Sequence, residues 1–336
     1  PGFIDSHTHV CHYGNRSDEY AKRNSGISYQ QILEEGGGIH NTMNSTSNCT
    51  DEQLRDDTLY RLKRHFHEGV LTCEVKSGYA PNLEDEVRML KIINKIDSSN
   101  EIDLIPTCLA AHVTPKKYES SKQYLDSILN ELLPQIKKQN LSDRVDIFIE
   151  EKAFSVTEAS NFLEKVRSDF FVTAHANQFT SGGLKVGVDN GAVSVDHLEV
   201  ITDHEVDYLS KSNTTGVVLP GCSIGLGIPF APARKLLDNN CKVSIASDWN
   251  PGSAPMGDLL MQASLLGSIE KLSNAEVLAG ITCRSANALS LEDRGSLENG
   301  KIADMIGFGT NDFRDILYNQ GKLKPSLICK RGKFYN

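Results

Sequence analysis

The sequence predicts a (β/α)8 barrel with a small β-rich appendage. Three observations lead there. Eight short runs rich in Val, Ile and Phe recur along the chain, and they alternate poorly between polar and apolar residues, which suits parallel strands buried on both faces. Helix-start signals stand between them. No GxGxxG follows any run, which argues against the alternative, a doubly wound open sheet.

In chain order, the predicted strands are residues 2–9, 70–76, 102–110, 145–150, 170–174, 192–197, 215–220 and 243–247. Between the first two, Thr50 followed by Gln53 is a capping box that opens a helix reaching about His67. Residues 83–96 carry apolar positions at helical spacing. Ser155 with Glu158 and Thr202 with Glu205 are two further capping boxes. Residues 231–239 and 274–289 also read as helices. Beyond about residue 291 the pattern changes to turn-punctuated β segments, "GSLENGKIADMIGF" and "KPSLICKRGKFYN". The expected division is a barrel over 1–290 and part of a small β-sandwich over 291–336. A few strands alone are marginal, so the missing half of that sandwich is expected upstream of Pro1.

The chain has 336 residues, 39% of them hydrophobic, enough for one large domain with a substantial core. Its formal net charge is −9, with no Lys/Arg-rich run, so neither nucleic acid nor an anionic membrane surface is an expected partner. A small anionic substrate needs a local cationic group. The 8 cysteines are scattered without a CxxC, several within apolar runs, and read as reduced core thiols of a cytoplasmic protein. No apolar run approaches the roughly 18 residues of a membrane span.

In a barrel of this kind the active site lies at the carboxyl ends of the strands. Those ends carry His7 and His9, Lys76 to Tyr79, His112, Glu150 and Glu151, His175 to Gln178, Asp196 and His197, and Asp248 to Asn250. Side chains two apart on a strand share a face, so His7 and His9 reach one metal ion together. His175 and Asp248 complete the set from across the barrel. Imidazoles plus a carboxylate suit Zn²⁺, or Fe²⁺/Fe³⁺, with a position left open for water. The pair His65 and His67 serves as an internal control: in a helix, residues two apart diverge by about 200°, and both read as surface. Asp248 has a second possible task, as the base that takes a proton from a metal-activated water and passes it to a leaving nitrogen. His197 either polarises the scissile carbonyl or supports a metal ligand.

These residues, in this order, resemble the amidohydrolase superfamily, with "PGFIDSHTH" at the first strand, His at the fifth and sixth and Asp at the eighth. Some members bridge two metals with a carboxylated lysine at the fourth strand. Here that strand ends "IFIEEKAFS" with Lys152 beyond the tip, which favours one ion. Within the superfamily the chain resembles the imidazolonepropionases of histidine degradation. The stretches are "YGNRSDEY", "GGGIHNTM", "EVKSGYAPNLEDEVRML", "CLAAHVTP", "AHANQF", "SVDHLE" and "ASDWNPGSAPMGDLL". The resemblance implies that His7, His9, His175 and Asp248 hold the ion and that Arg16 grips a propionate carboxylate, to which a guanidinium fork is well matched. It implies that Tyr79, His112, Asn250, Gly252 and Ser253 border the substrate and that His197 assists at its carbonyl. Gln178 stands where the family carries Glu or Gln and would meet the imidazolone ring; as an amide it cannot shuttle a proton, which shifts that work to Asp248 and His197. The implied reaction is hydrolysis of 4-imidazolone-5-propanoate to N-formimidoyl-L-glutamate, and the implied assembly a homodimer. The alternatives are another cyclic amidase or a nucleobase-type deaminase of the same superfamily, and, from a different class, a non-catalytic metal-binding barrel.

Overall fold

The computed structural model describes residues 1–27, 31–32, 37–97 and 101–335; the first glycine of "GGGIHNTM" lies outside them. Eight parallel strands follow one another around a ring: β1 (Phe3–Asp5), β2 (Val70–Lys76), β3 (Asp103–Ala111), β4 (Arg144–Ile149), β5 (Phe171–Ala176), β6 (Ser194–His197), β7 (Thr215–Val218) and β8 (Val243–Ile245). Each pairs with the next in parallel. The seam between β8 and β1 is drawn together by a bridge of Thr8 to Trp249. The His9 N–H donates to the Trp249 carbonyl at 2.9 Å and the Asp248 N–H to the His7 carbonyl at 3.1 Å. The strands are buried on both faces apart from a few partly exposed residues of β3, β4 and β5, which explains their lack of alternation.

Several elements differ from the sequence reading. The first and last strands are shorter than expected, so His7, His9 and Asp248 lie just past the ladder. Pro220 does not end the seventh strand but opens the helix Pro220–Leu226, where its fixed φ and missing N–H are no handicap. Residues 274–289 form two helices, Asn274–Gly280 and Cys283–Ala288, broken at Thr282 with φ −133° and ψ −99°. Helices Ser17–Asn24, Ile39–Asn48 and Leu259–Glu270 were not foreseen. The predicted capping boxes at Thr50, Ser155 and Thr202 all form reciprocally.

The expected β-rich tail is a three-stranded antiparallel sheet of Met305–Gly307, Leu327–Lys330 and Lys333–Tyr335. It packs at the amino ends of the barrel strands, away from the histidines. The Gly2 N–H donates to Asp304, and Lys330 Nζ reaches the Leu71 carbonyl and Asp103. All eight cysteines are free and all but Cys283 are buried. Among the described residues no helix is long and apolar enough to cross a membrane.

The HxH pair of the helix Asp51–His67 corrects the sequence reading. His67 is exposed, but His65 is fully buried, with Nε2 3.1 Å from Asp5 Oδ2 and its ring edge against Trp249. The 200° divergence that separates the two side chains turns one inward whenever the other faces out. Another buried carboxylate, Glu86, accepts the Gly78 N–H at 3.1 Å and so pins the loop after β2.

Two predictions follow from these contacts. Replacing His65 by Ala should cost about 3 kcal/mol, because it opens a cavity and strands the Asp5 oxygen. His67→Ala should stay within about 0.5 kcal/mol, and equal values in urea unfolding would refute the distinction. Burial pushes the Glu86 carboxyl up to about 7, with Asp85 adding, against hydrogen bonds from Ser77 and Gly78. The folded state therefore holds this proton more tightly than the unfolded one. Its contribution to stability is lost as pH rises from about 4.3 to about 7. Glu86→Gln should gain about 2 kcal/mol on the unsubstituted protein between pH 5 and pH 8, read as the difference of two denaturation curves.

Candidate metal centre

At the carboxyl ends of the strands three imidazoles meet. His7 Nε2 lies 3.2 Å from His9 Nε2, which lies 3.3 Å from His175 Nε2. Asp248 Oδ1 stands 3.6 Å from the first and 3.5 Å from the second. Donors around a tetrahedral ion at 2.0–2.1 Å are separated by about 3.3 Å, close to these four separations, and the three imidazole nitrogens all lie within 4.8 Å of one another. The rings are buried. Burial first, then the neighbouring cationic and histidine groups, holds His7 and His9 well below the ordinary imidazole range, and His175 at about 4. Neutral imidazoles with converging lone pairs are what a cation requires, and the residues present fit a metal ion.

The orientation of the rings comes from below. His7 Nδ1 donates to Asp196 Oδ2 at 2.7 Å, and His175 Nδ1 lies 3.0 Å from Asp146 Oδ2. Both carboxylates face Lys76, whose Nζ is 2.7 Å from Asp146, 2.8 Å from Glu74 and 3.7 Å from Asp196. All four of these residues are fully buried inside the barrel. Burial opposes the Lys76 charge, but the three carboxylates outweigh it and hold the ammonium above its ordinary pKa. A histidine whose far nitrogen donates to a carboxylate has a set tautomer and a more basic ligating nitrogen.

Above the histidines opens a cavity of about 300 Å³. Every substrate-side residue expected from the sequence lines it: Arg16, Tyr79, His112, Gln178, His197, Asn250, Gly252 and Ser253, with His9, His175 and Asp248 at its base. Arg16 arrives from the loop before helix Ser17–Asn24, and its Nε donates to Glu19 Oε2 at 2.7 Å beside the cavity. Gly252 admits the guanidinium: a Cβ there would stand 2.3 Å from Arg16 Nη1. Asn250 Oδ1 accepts the N–H groups of Gly252 and Ser253 and so shapes the turn after β8. Tyr79 and His112 pack together, ring centroids 5.7 Å apart, and His112 stacks on His9 at 5.4 Å. The Gln178 amide donates to Cys222 Sγ at 3.1 Å. Its backbone N–H, with those of Phe179 and Thr180, is gathered by Glu150 Oε1.

His197 and Asp248 both sit at positive φ, +91° and +49°. Such strain in a non-glycine residue persists only where the surroundings impose it and clusters at functional sites. Burial raises the Asp248 carboxyl to about 6, against the opposing charge of His197. His197 pairs with Glu199, Nδ1 to Oε2 3.4 Å. Its sequence neighbour Asp196, not His197 itself, supports a histidine of the centre. Lys152 is exposed, away from the cavity. Glu74, Asp146, Glu199 and Cys222 were missed as parts of the site. The available signal was charge in otherwise apolar central strands: Glu74 and Lys76 two apart in β2, and Asp146 in β4.

Asp146→Asn should therefore lower metal affinity about 10- to 100-fold while leaving the circular dichroism spectrum unchanged. Chelator competition measures it, and an unchanged affinity would remove Asp146 from this role.

A model of the amidohydrolase family matches residues 1–327. Imidazolonepropionase of Caldanaerobacter subterraneus subsp. tengcongensis is 37% identical over 335 residues, covering 98% of this chain and 80% of the relative. That of Bdellovibrio bacteriovorus is 38% identical over 337 residues, covering 99% and 78%. Among solved structures, 5-methylcytosine deaminase from Klebsiella pneumoniae with 5-fluorocytosine superposes with a TM-score of 0.77 at 15% identity, covering 100% of this chain and 85% of that one. A triazine hydrolase variant gives 0.74 at 15%, covering 99% and 82%; both share the fold. Matched along nearly its whole length, and at this identity to relatives it largely spans, the chain belongs to the amidohydrolase family, in its imidazolonepropionase branch.

Proposed function

We propose that this protein hydrolyses the cyclic amide of 4-imidazolone-5-propanoate to N-formimidoyl-L-glutamate, using one ion of Zn²⁺ or Fe²⁺/Fe³⁺ held by His7, His9, His175 and Asp248. The observation that carries this reading is the pairing of a four-donor cluster with a guanidinium across one small cavity. The donors supply the hydrolytic end, and Arg16 supplies the local cation that a carboxylate-bearing substrate needs in a protein of net charge −9. The names of the relatives support the substrate.

When bound, the cation acidifies a water molecule and polarises the ring carbonyl. The remaining work belongs to the chain. Arg16 takes the propionate. Tyr79, His112 and Gln178 flank the ring, with Asn250, Gly252 and Ser253 closing the opposite side. Asp248 takes a proton from the attacking water and gives it to the ring nitrogen as the C–N bond breaks and the C–O bond forms. His197, charged beside Glu199, donates to the carbonyl oxygen. Gln178 binds and does not transfer protons.

We also propose the division into a barrel over 1–290 and a small β unit over 291–336, a homodimeric assembly, and a cytoplasmic location, in keeping with its buried free thiols.

Ultraviolet loss of the imidazolone by metal-loaded protein tests the activity; ammonia release from nucleobases in its place would favour a deaminase. Asp248→Asn should lower kcat about 10²- to 10⁴-fold with the fold intact, and near-normal turnover would end the proton-transfer role. Arg16→Ala should cost about 10- to 100-fold in kcat/KM, mostly through KM.

A further inference from the structure

We propose that the chain holds a second cation site, built from His197, Glu199 and Cys222 and suited to a borderline-soft divalent ion such as Zn²⁺, Co²⁺ or Cd²⁺. None of these residues belongs to the four-donor cluster. The chain reverses at the tip of β6, with Leu198 following His197 at φ +72°. That reversal brings Glu199 back against the imidazole two residues earlier. Cys222 arrives from the first turn of the helix Pro220–Leu226, behind β7. One ring nitrogen, one carboxylate oxygen and the thiol sulfur all lie within 4.8 Å of one another. Tetrahedral zinc with N, O and S ligands sets its donors about 3.3–3.6 Å apart. The His197 Nδ1 to Glu199 Oε2 distance, 3.4 Å, already falls in that range.

A second, independent observation points to a ligand. The Glu199 side chain is only 2% exposed, yet beyond the 3.4 Å ion pair with His197 its Oε2 has no hydrogen-bond partner. Such an atom ordinarily finds a donor or a cation. The neighbours supply what is missing from a four-coordinate shell. Gln178, whose amide already touches Cys222, can turn its carbonyl oxygen to the ion, and the cavity it lines offers the entry path. The mixed N, O and S donor set selects borderline metals over Mg²⁺ or Ca²⁺.

Binding releases the thiol proton and any proton on the ligating His197 nitrogen to solvent, and no electron moves. The ion's two positive charges are met by thiolate and carboxylate, so the site adds no net charge beside the first centre. The consequence for activity rests on the function proposed above. An ion here draws the His197 ring towards Glu199 and Cys222, away from a carbonyl in the cavity, so excess zinc inhibits.

The test is cobalt titration of the metal-depleted full chain, followed by zinc inhibition of the reloaded enzyme. The first centre contains no sulfur, so a near-ultraviolet thiolate-to-cobalt charge-transfer band reports the second site alone. The expected result is two ions per chain, with the band growing over the second equivalent. Cys222→Ala should bind one ion, show no such band and escape inhibition by excess zinc. Glu199→Gln should weaken the second equivalent and spare the first. A single equivalent without the band in the unsubstituted protein overturns the site, as does a band that persists in Cys222→Ala. A band at two equivalents in a protein that leaves imidazolone untouched keeps the site and refutes the proposed function instead.

Discussion

One buried ammonium organises the reactive end of this barrel. Lys76 stands inside the strand ring with Glu74, Asp146 and Asp196 around it. Without its charge, three carboxylates would share a dry interior, an arrangement that like-charge repulsion and lost hydration make untenable. With it, two of them are fixed where they set the rings of His7 and His175. The lysine touches no ligand-binding atom, yet the direction of the donors passes through it. Polar residues at the centre of a barrel are costly, and the cost is borne here where it aims a metal centre.

The rest of the site divides along the same line between rigid and adaptable parts. His175 sits in β5, and His7, His9 and Asp248 follow directly on β1 and β8, held by the Thr8–Trp249 bridge and its backbone hydrogen bonds. Loops carry groups that line the cavity: Arg16 before the first helix, Tyr79 in the turn pinned by Glu86, and the Asn250–Ser253 turn stitched by its own amide hydrogen bonds. The two strained residues, His197 and Asp248, sit at the junction of the two sets, where a strand gives way to a loop. Backbone strain there is sustained by the surrounding structure and sets both side chains beside the three imidazoles. The small C-terminal sheet occupies the opposite end of the barrel and closes it against Phe3, Leu71 and Asp103.

Much of this was legible in the residues themselves. Eight apolar runs determined the barrel, since strands covered on both faces leave a signature that no neighbour can alter, and capping boxes at Thr50, Ser155 and Thr202 are local bonds spanning three residues. His7, His9, His175 and Asp248 declared themselves by type and by position at strand ends. What only the tertiary structure decided was relational. Which histidine of His65 and His67 faces inward depends on where the helix Asp51–His67 meets the barrel. That Lys76 faces two carboxylates 70 and 120 residues away depends on strands that are neighbours only once the ring closes. The pairing of Glu199 and Cys222 with His197 depends on a backbone reversal that no propensity foretells. Periodicity and capping act within one element, whereas electrostatic partnership inside a barrel is set by register across strands, and register exists only in the folded chain.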